Sequence, residues 1–185
     1  ANVTGVSLTG RMQNQHMISN TTGVSGSGIL GGDDLSFANA IEANPIGASF
    51  TGPVQFNRFT RNTVALPAAS GQLIAHNLFY ANTQTGVSVS RKSDVRIFQN
   101  TFYAAQGDNV RIENNSSQVE LLNNVLWAES GYDIYVATDS RTGFFSDYND
   151  LHAGGTGKLV YFTKDFTDLL DVQADLNEFD LHSIG

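Results

Sequence analysis

The 185-residue chain has no cysteine, which excludes a disulfide framework and any thiolate chemistry. Proline is scarce, at 3 residues, and tryptophan occurs once. Basic residues are also few: 10 Lys and Arg stand against 18 Asp and Glu, a formal charge of −8. That balance argues against a general nucleic-acid or anionic-membrane binder, which carries a basic excess. No apolar run approaches the roughly 20 residues that a membrane span needs, so no membrane insertion is expected, and no signal-peptide pattern is visible. There is no Gly-rich phosphate loop, nucleophile elbow or redox motif. The four histidines are scattered without zinc-ligand spacing. Asp33-Asp34 and the run Asp165, Asp168, Asp171 and Asp175 match neither an EF-hand nor a calcium-binding nonapeptide, and read as solvated acidic surface. The expectation is no cofactor and no metal. The length allows one domain, or at most two. Because the chain opens on Ala1 rather than Met, the further expectation is a processed or excised piece of a larger protein.

What is present is a repeat. Val87-Ser88-Val89 is followed by Val95-Arg96-Ile97, then Asn100 and Phe102; 23 residues after Val87 the pattern restarts at Val110 and runs to Asn124 and Leu126. Each short run alternates apolar and polar, the period of a strand with one buried face. Taking Asn as origin gives Asn57, Asn77, Asn100, Asn124 and Asn149, at intervals of 20, 23, 24 and 25. Two residues on from each come Phe59, Phe79, Phe102, Leu126 and Leu151. Three residues before come Val54, Ile74, Ile97, Leu121 and Ser146, of which only the last breaks the apolar rule. A further register reads Val64/Leu66, Val87/Val89, Val110/Ile112 and Ile134/Val136. Three columns in phase predict a solenoid. Each rung of about 22–25 residues holds three short parallel strands, with Val, Ile, Leu and Phe inside. Asparagine is expected at one tight bend, because it tolerates left-handed backbone and can form a hydrogen-bonded ladder. At that spacing the chain makes roughly seven to eight rungs.

The V-x-I-x-x-N-x-F unit resembles the right-handed parallel β-helix of the pectate-lyase-like superfamily. The closing stretches from Phe145 to His152, Phe166 to Gln173 and Asp180 to Ile184 are similar to the end of bacterial β-helix repeat regions in very large secreted or surface proteins. The resemblance implies an all-β fold and an extracellular or cell-surface location. It fixes no activity, because the superfamily includes lyases, hydrolases, epimerases, adhesins and passive stalks. A single domain over 1–185 is expected, with rungs over 1–152 and a C-terminal cap or excursion over 153–185. In that cap a short helix from Asp168 to Asp175 would be capped by Thr167. Residues 21–44 are Gly/Ser-rich and carry the repeat most weakly. The N-terminal end shows no comparable cap, which favours an oligomer or a neighbouring domain.

Three places draw a functional reading. The position three after each asparagine holds Thr60, Tyr80, Tyr103, Trp127 and His152, an outward column. There Tyr80, Tyr103 and Trp127 would offer aromatic faces to sugar rings, unless loops or the C-terminal segment cover them. Arg96 and Arg111 belong to a basic cluster with Arg91 and Lys92. Both should face out, to bind a uronic-acid or sulfated glycan or to pair with Asp94, Asp108, Glu113 and Glu120. Tyr148, Asp150 and His152 could supply an acid and a base. Alginate epimerases, on a similar fold, use Tyr, Asp and His on neighbouring positions, but their motif is not reproduced here. The expected function is a non-catalytic module of a large extracellular protein, structural or binding a glycan or protein partner. The alternative is a lyase or C5-epimerase acting on acidic polysaccharide. Self-association through the uncapped first rung is a further expectation.

Overall fold

The computed structural model describes residues 2–185. The chain winds into a right-handed coil of about six turns with three faces. A typical turn runs Thr85–Ser90 on face 1, Ser93–Phe98 on face 2 and Thr101–Ala104 on face 3, and the next turn lays Asp108–Glu113, Ser117–Leu122 and Val125–Ala128 parallel to them. Face 3 is a seven-stranded parallel sheet from His16–Ile18 to Asp150–Ala153. The coil is shorter than the seven to eight rungs anticipated because the last residues build a cap instead of another turn.

Successive turns stack like residues on like. Leu30, Val54, Ile74, Ile97 and Leu121 form one buried column on face 2. Met17, Ile41, Phe59, Phe79, Phe102, Leu126 and Leu151 form another on face 3. Within it Phe59, Phe79 and Phe102 stack ring on ring at 4.9 and 4.6 Å. On face 1 the register differs by two residues from the expected one: Leu66 lies beside Val87 rather than Val89, and Val64 beside Thr85. From Val87 upward the pairing Val110, Ile134 is as read from the sequence.

The asparagine column is a hydrogen-bonded ladder, longer than expected by one member. Asn39, Asn57, Asn77, Asn100, Asn124 and Asn149 are buried in line. The backbone N–H of Asn77 donates to Oδ1 of Asn100 at 2.9 Å, and its Nδ2 donates to the same atom at 3.1 Å. The Asn100 amide in turn donates to the carbonyls of Ile74 and Phe98. The left-handed residue at this bend is not the asparagine but its predecessor: Phe56, His76, Gln99, Asn123 and Tyr148 have φ between 54 and 56°. The asparagine itself rejoins the extended chain, and its side chain, not its backbone tolerance, is what the corner uses. In the first turn Asn14 is likewise left-handed, with φ 52°, and the neighbouring Gln15 N–H donates to Asn39.

A second ladder occupies the corner between faces 3 and 1: Asn20, Asn44, Asn62 and Asn82, each preceded by a left-handed residue. The two ladders are linked in sequence, since Asn44, Asn62 and Asn82 each follow a member of the first by five residues.

The first two turns depart from three strands per rung. Thr4–Met12 and Thr22–Leu30 are long strands that bend across faces 1 and 2, so the two faces join into one sheet. Glycine makes this possible at Gly26 and Gly28, with φ of 145 and 119°; a Cβ on Gly26 would sit 1.8 Å from the Leu8 carbonyl oxygen. This accounts for the Gly/Ser-rich composition where the repeat is weakest. The outer edge of Thr4–Met12 is unpaired among the described residues.

At the other end Lys158–Tyr161 adds one more strand to face 1. Asp165–Phe166 then turns back antiparallel, and the helix Leu169–Leu176 follows. The helix cap is Asp168, which accepts from the Leu170 N–H at 2.8 Å, rather than Thr167. The tail returns so that Ile184 pairs with Asp150, and Ser183 Oγ accepts the Asn149 N–H at 2.8 Å, closing the ladder. Ser146, the one polar member of its column, donates to Asp180 of this tail. Among the described residues no helix is long and apolar enough to cross a membrane.

Replacing Asn100 by Ala leaves the buried Asn77 N–H without its acceptor and removes the donor to two carbonyls. We expect a loss of about 3 kcal/mol in denaturant unfolding. A loss below about 1 kcal/mol would show that the corners are held by something other than the ladder.

Candidate functional site

Because each strand alternates in and out, outward residues fall into columns along the coil. On face 3 one column runs Ile18, Glu42, Thr60, Tyr80, Tyr103, Trp127, His152. Tyr80 is 47 % and Trp127 43 % exposed, so neither loops nor the C-terminal segment cover the aromatic part. The rings are mutually packed. Tyr80 and Tyr103 stack at 5.2 Å with an interplanar angle of 23°, so they spend their facing surfaces on each other and present edges and hydroxyls. Trp127 stands at 74° to Tyr103, and His152 lies against it at 4.2 Å. The open aromatic faces are therefore the side of Tyr80 toward Thr60 and the indole of Trp127.

The two arginines lie on other faces. Arg96 is exposed on face 2, beside Glu120 in register. With Asp94, Gln118, Gly71 and Gly143 they line a depression of about 540 Å³. Arg111 is on face 1 and is already engaged: it donates to Asp108 and Glu113 at 2.8 Å each and lies 3.9 Å over the Tyr135 ring. The aromatic column and the two arginines thus occupy three different faces of the coil.

Tyr148, Asp150 and His152 are also divided. His152 belongs to the aromatic column. Tyr148, at the left-handed corner, stacks on His182 at 4.8 Å. Asp150 lines a depression of about 310 Å³ with Tyr148 and His182.

Sequence reasoning missed three groupings. Face 1 carries a tyrosine cluster, Tyr132, Tyr135 and Tyr161, with Lys158 over the Tyr132 ring and Asp165 accepting from its hydroxyl. At the corner between faces 2 and 3, Phe56 and His76 stack at 4.6 Å. At the C-terminal end His182 Nδ1 donates to Asp147 at 2.7 Å, while the Asp147 carboxylate also accepts the N–H groups of His182 and Tyr148. The tyrosine cluster and the stacked pair follow from the repeat spacing once register is known; the Asp147–His182 pair joins residues 35 apart outside the repeat, and no periodicity marks it.

Three buried carboxyls are perturbed. Burial raises the Asp147 pKa, but the hydrogen bonds from His182 and Tyr148 outweigh it and hold the group below the usual range. Burial pushes Asp180 up, against hydrogen bonds from Ser183, Asn149 and Ser146. Asp133, fully buried, is pushed well above the ordinary value, opposed only by the Asn109 amide and the His152 N–H. Among the described residues no three His, Asp or Glu side chains are grouped to hold a metal ion.

A coil with three stacked parallel faces and asparagines aligned at its corners defines a parallel β-solenoid. Residues 4–146 match the family described as the right handed beta helix region, and the chain belongs to that family. No curated protein and no solved structure matches it.

Asp133 supplies a pH test. With its folded pKa raised, the native state holds this proton more tightly than the unfolded chain, so stability falls as pH rises from the ordinary carboxylate value through the folded one. Asp133→Asn keeps the carbonyl acceptor and, with Asn109 turned, makes the amide pairing used in the ladders. Its unfolding midpoint is expected to exceed that of the parent at pH 8, with the gap closing toward pH 4 (about the ordinary aspartate value). A mutant less stable than the parent at pH 8 would contradict this.

Proposed function

We propose that the chain is a non-catalytic β-helix module of a larger extracellular or cell-surface protein, and that face 3 binds a glycan. The single observation that carries this reading is the Tyr80, Tyr103, Trp127, His152 column on a flat sheet face, with Tyr80, Trp127 and His152 exposed and Tyr103 half-buried between them. Aromatic rings left in water on a rigid surface mark a contact site. The strand spacing of about 4.8 Å sets them at intervals comparable to the length of a pyranose ring. With Arg96 and Arg111 on other faces, the charge of the glycan is not read here, and a neutral or weakly acidic chain fits better than a densely sulfated one.

A second reading is favoured by one specific feature. Asp147 fixes the His182 ring through Nδ1, leaving Nε2 free beside Tyr148 and Asp150. A lyase or epimerase acting on acidic polysaccharide needs such a base to take a proton α to a carboxylate.

The sole tryptophan makes the first reading measurable. Trp127 emission is expected to shift saturably with a neutral or weakly acidic polysaccharide, and Trp127→Ala and Tyr80→Ala to weaken retention on that glycan about tenfold while costing only about 1 kcal/mol of stability through the lost ring contacts. If no polysaccharide in a panel moves the emission, the face-3 reading fails. If unsaturated product absorbance grows on alginate or pectin and His182→Gln abolishes it, the enzymatic reading replaces it.

A further inference from the structure

At the corner between faces 2 and 3, one loop interrupts the repeat. The chain leaves Leu30, forms the short 3-10 turn Leu35–Phe37 and returns at Ala40. The loop is pinned. Arg11 pairs with Asp33 at 3.1 Å, Asp34 accepts the Ser36 N–H at 2.7 Å, and the Asn14 N–H donates to the Phe37 carbonyl at 3.2 Å. It nevertheless leaves Leu35 60 % exposed. Leu35 lines a depression of about 500 Å³ together with Phe56, His76, Leu78, Arg58 and Thr101, a size typical of small-ligand sites.

We propose that this depression binds a small aryl carboxylate. A leucine held in water by a fixed loop, opposite Leu78 and an aromatic pair, is apolar surface that a ligand's body would remove from solvent. The Phe56 and His76 rings lie 10° from parallel, face to face, so each spends one face on the other and keeps an outer face and an edge, against which an aryl group can stack or stand edge-on. The head group follows from Arg58. It sits beside Leu78 in register, is exposed, and has no ion-pair partner among the described residues. A free guanidinium next to an apolar depression, in a chain of charge −8, selects a carboxylate, which it can hold through two parallel hydrogen bonds. The site is separate from the aromatic column of face 3 and does not rest on the glycan reading.

The test is a titration of the full chain with 1-naphthoate, followed by amide chemical shifts, with neutral 1-naphthamide as control. Naphthoate is expected to give saturable shifts at Leu35, Phe56, Arg58 and Leu78, and naphthamide to bind about fivefold more weakly. Arg58→Gln should bring naphthoate down to the naphthamide level. Leu35→Ser should weaken both ligands about threefold or more, while Tyr80→Ala changes neither. All three altered residues are exposed, and the unshifted remainder of each spectrum verifies the fold. No saturable shift at these amides up to the solubility limit of naphthoate overturns the proposal, as does a response centred on Trp127. Equal binding of the acid and the amide overturns the role of Arg58.

Discussion

Turning a strand sharply into the next one points backbone N–H and C=O groups into a dry interior, where each must find a partner. The coil depends on meeting that demand at every corner. Between faces 2 and 3 an asparagine does so three ways: its Oδ1 takes the N–H and the amide of the asparagine before it, and its own amide reaches carbonyls in its own turn and the one before. The residue ahead of it adopts a left-handed conformation that costs of order 1–3 kcal/mol for a non-glycine side chain. The ladder offsets this cost and makes the bend repeat at the same place in every turn. The apolar columns then fall into register on one another. The ladder must end somewhere, and the tail ends it with Ser183 and Asp180.

The same regularity restricts what the surface can do. Outward side chains are generated by the repeat, so they arrive as straight columns on flat faces, not as groups converging on a point. The aromatic column of face 3, the Arg96 and Glu120 row of face 2 and the tyrosines of face 1 are all of this kind. Convergence appears where the winding is interrupted. The loop over 31–38 leans Leu35 over Phe56 and His76, and the returning tail brings His182 to Asp147. Chemistry that needs three groups around one atom has to be sought at such interruptions; extended ligands suit the columns.

Much of the architecture was legible in the residues themselves. Strand period, rung length, inward columns and the main asparagine series are local and periodic, and the neighbour of each residue is its own counterpart one turn away. The structure departs from the sequence pattern where contacts are not local. Face 1 slipped by two residues because Val64-Ala65-Leu66 and Val87-Ser88-Val89 fit either register on pattern alone, and the long connection after Pro67 hides the count. Asn39 and the second ladder were overlooked because spacing of 18 to 24 residues varies with loop length, while the constant offset of five between the ladders went unused. Glycines in the first turns masked two long strands that bend across a corner.

The sequence by itself determined that this chain winds into a parallel coil with asparagines buried at its bends, because a period repeated in phase leaves stacking as the only way to bury one face of every strand. Only the tertiary structure decided which outward residues meet. Arg111 and Trp127 share one turn and Arg96 lies on the turn before, yet the three look out of three different faces, whereas Asp147 and His182, far apart in the chain, share a hydrogen bond. Direction around the coil is set by where each corner falls, and corners are fixed by hydrogen bonds between turns rather than by the order of residues within one.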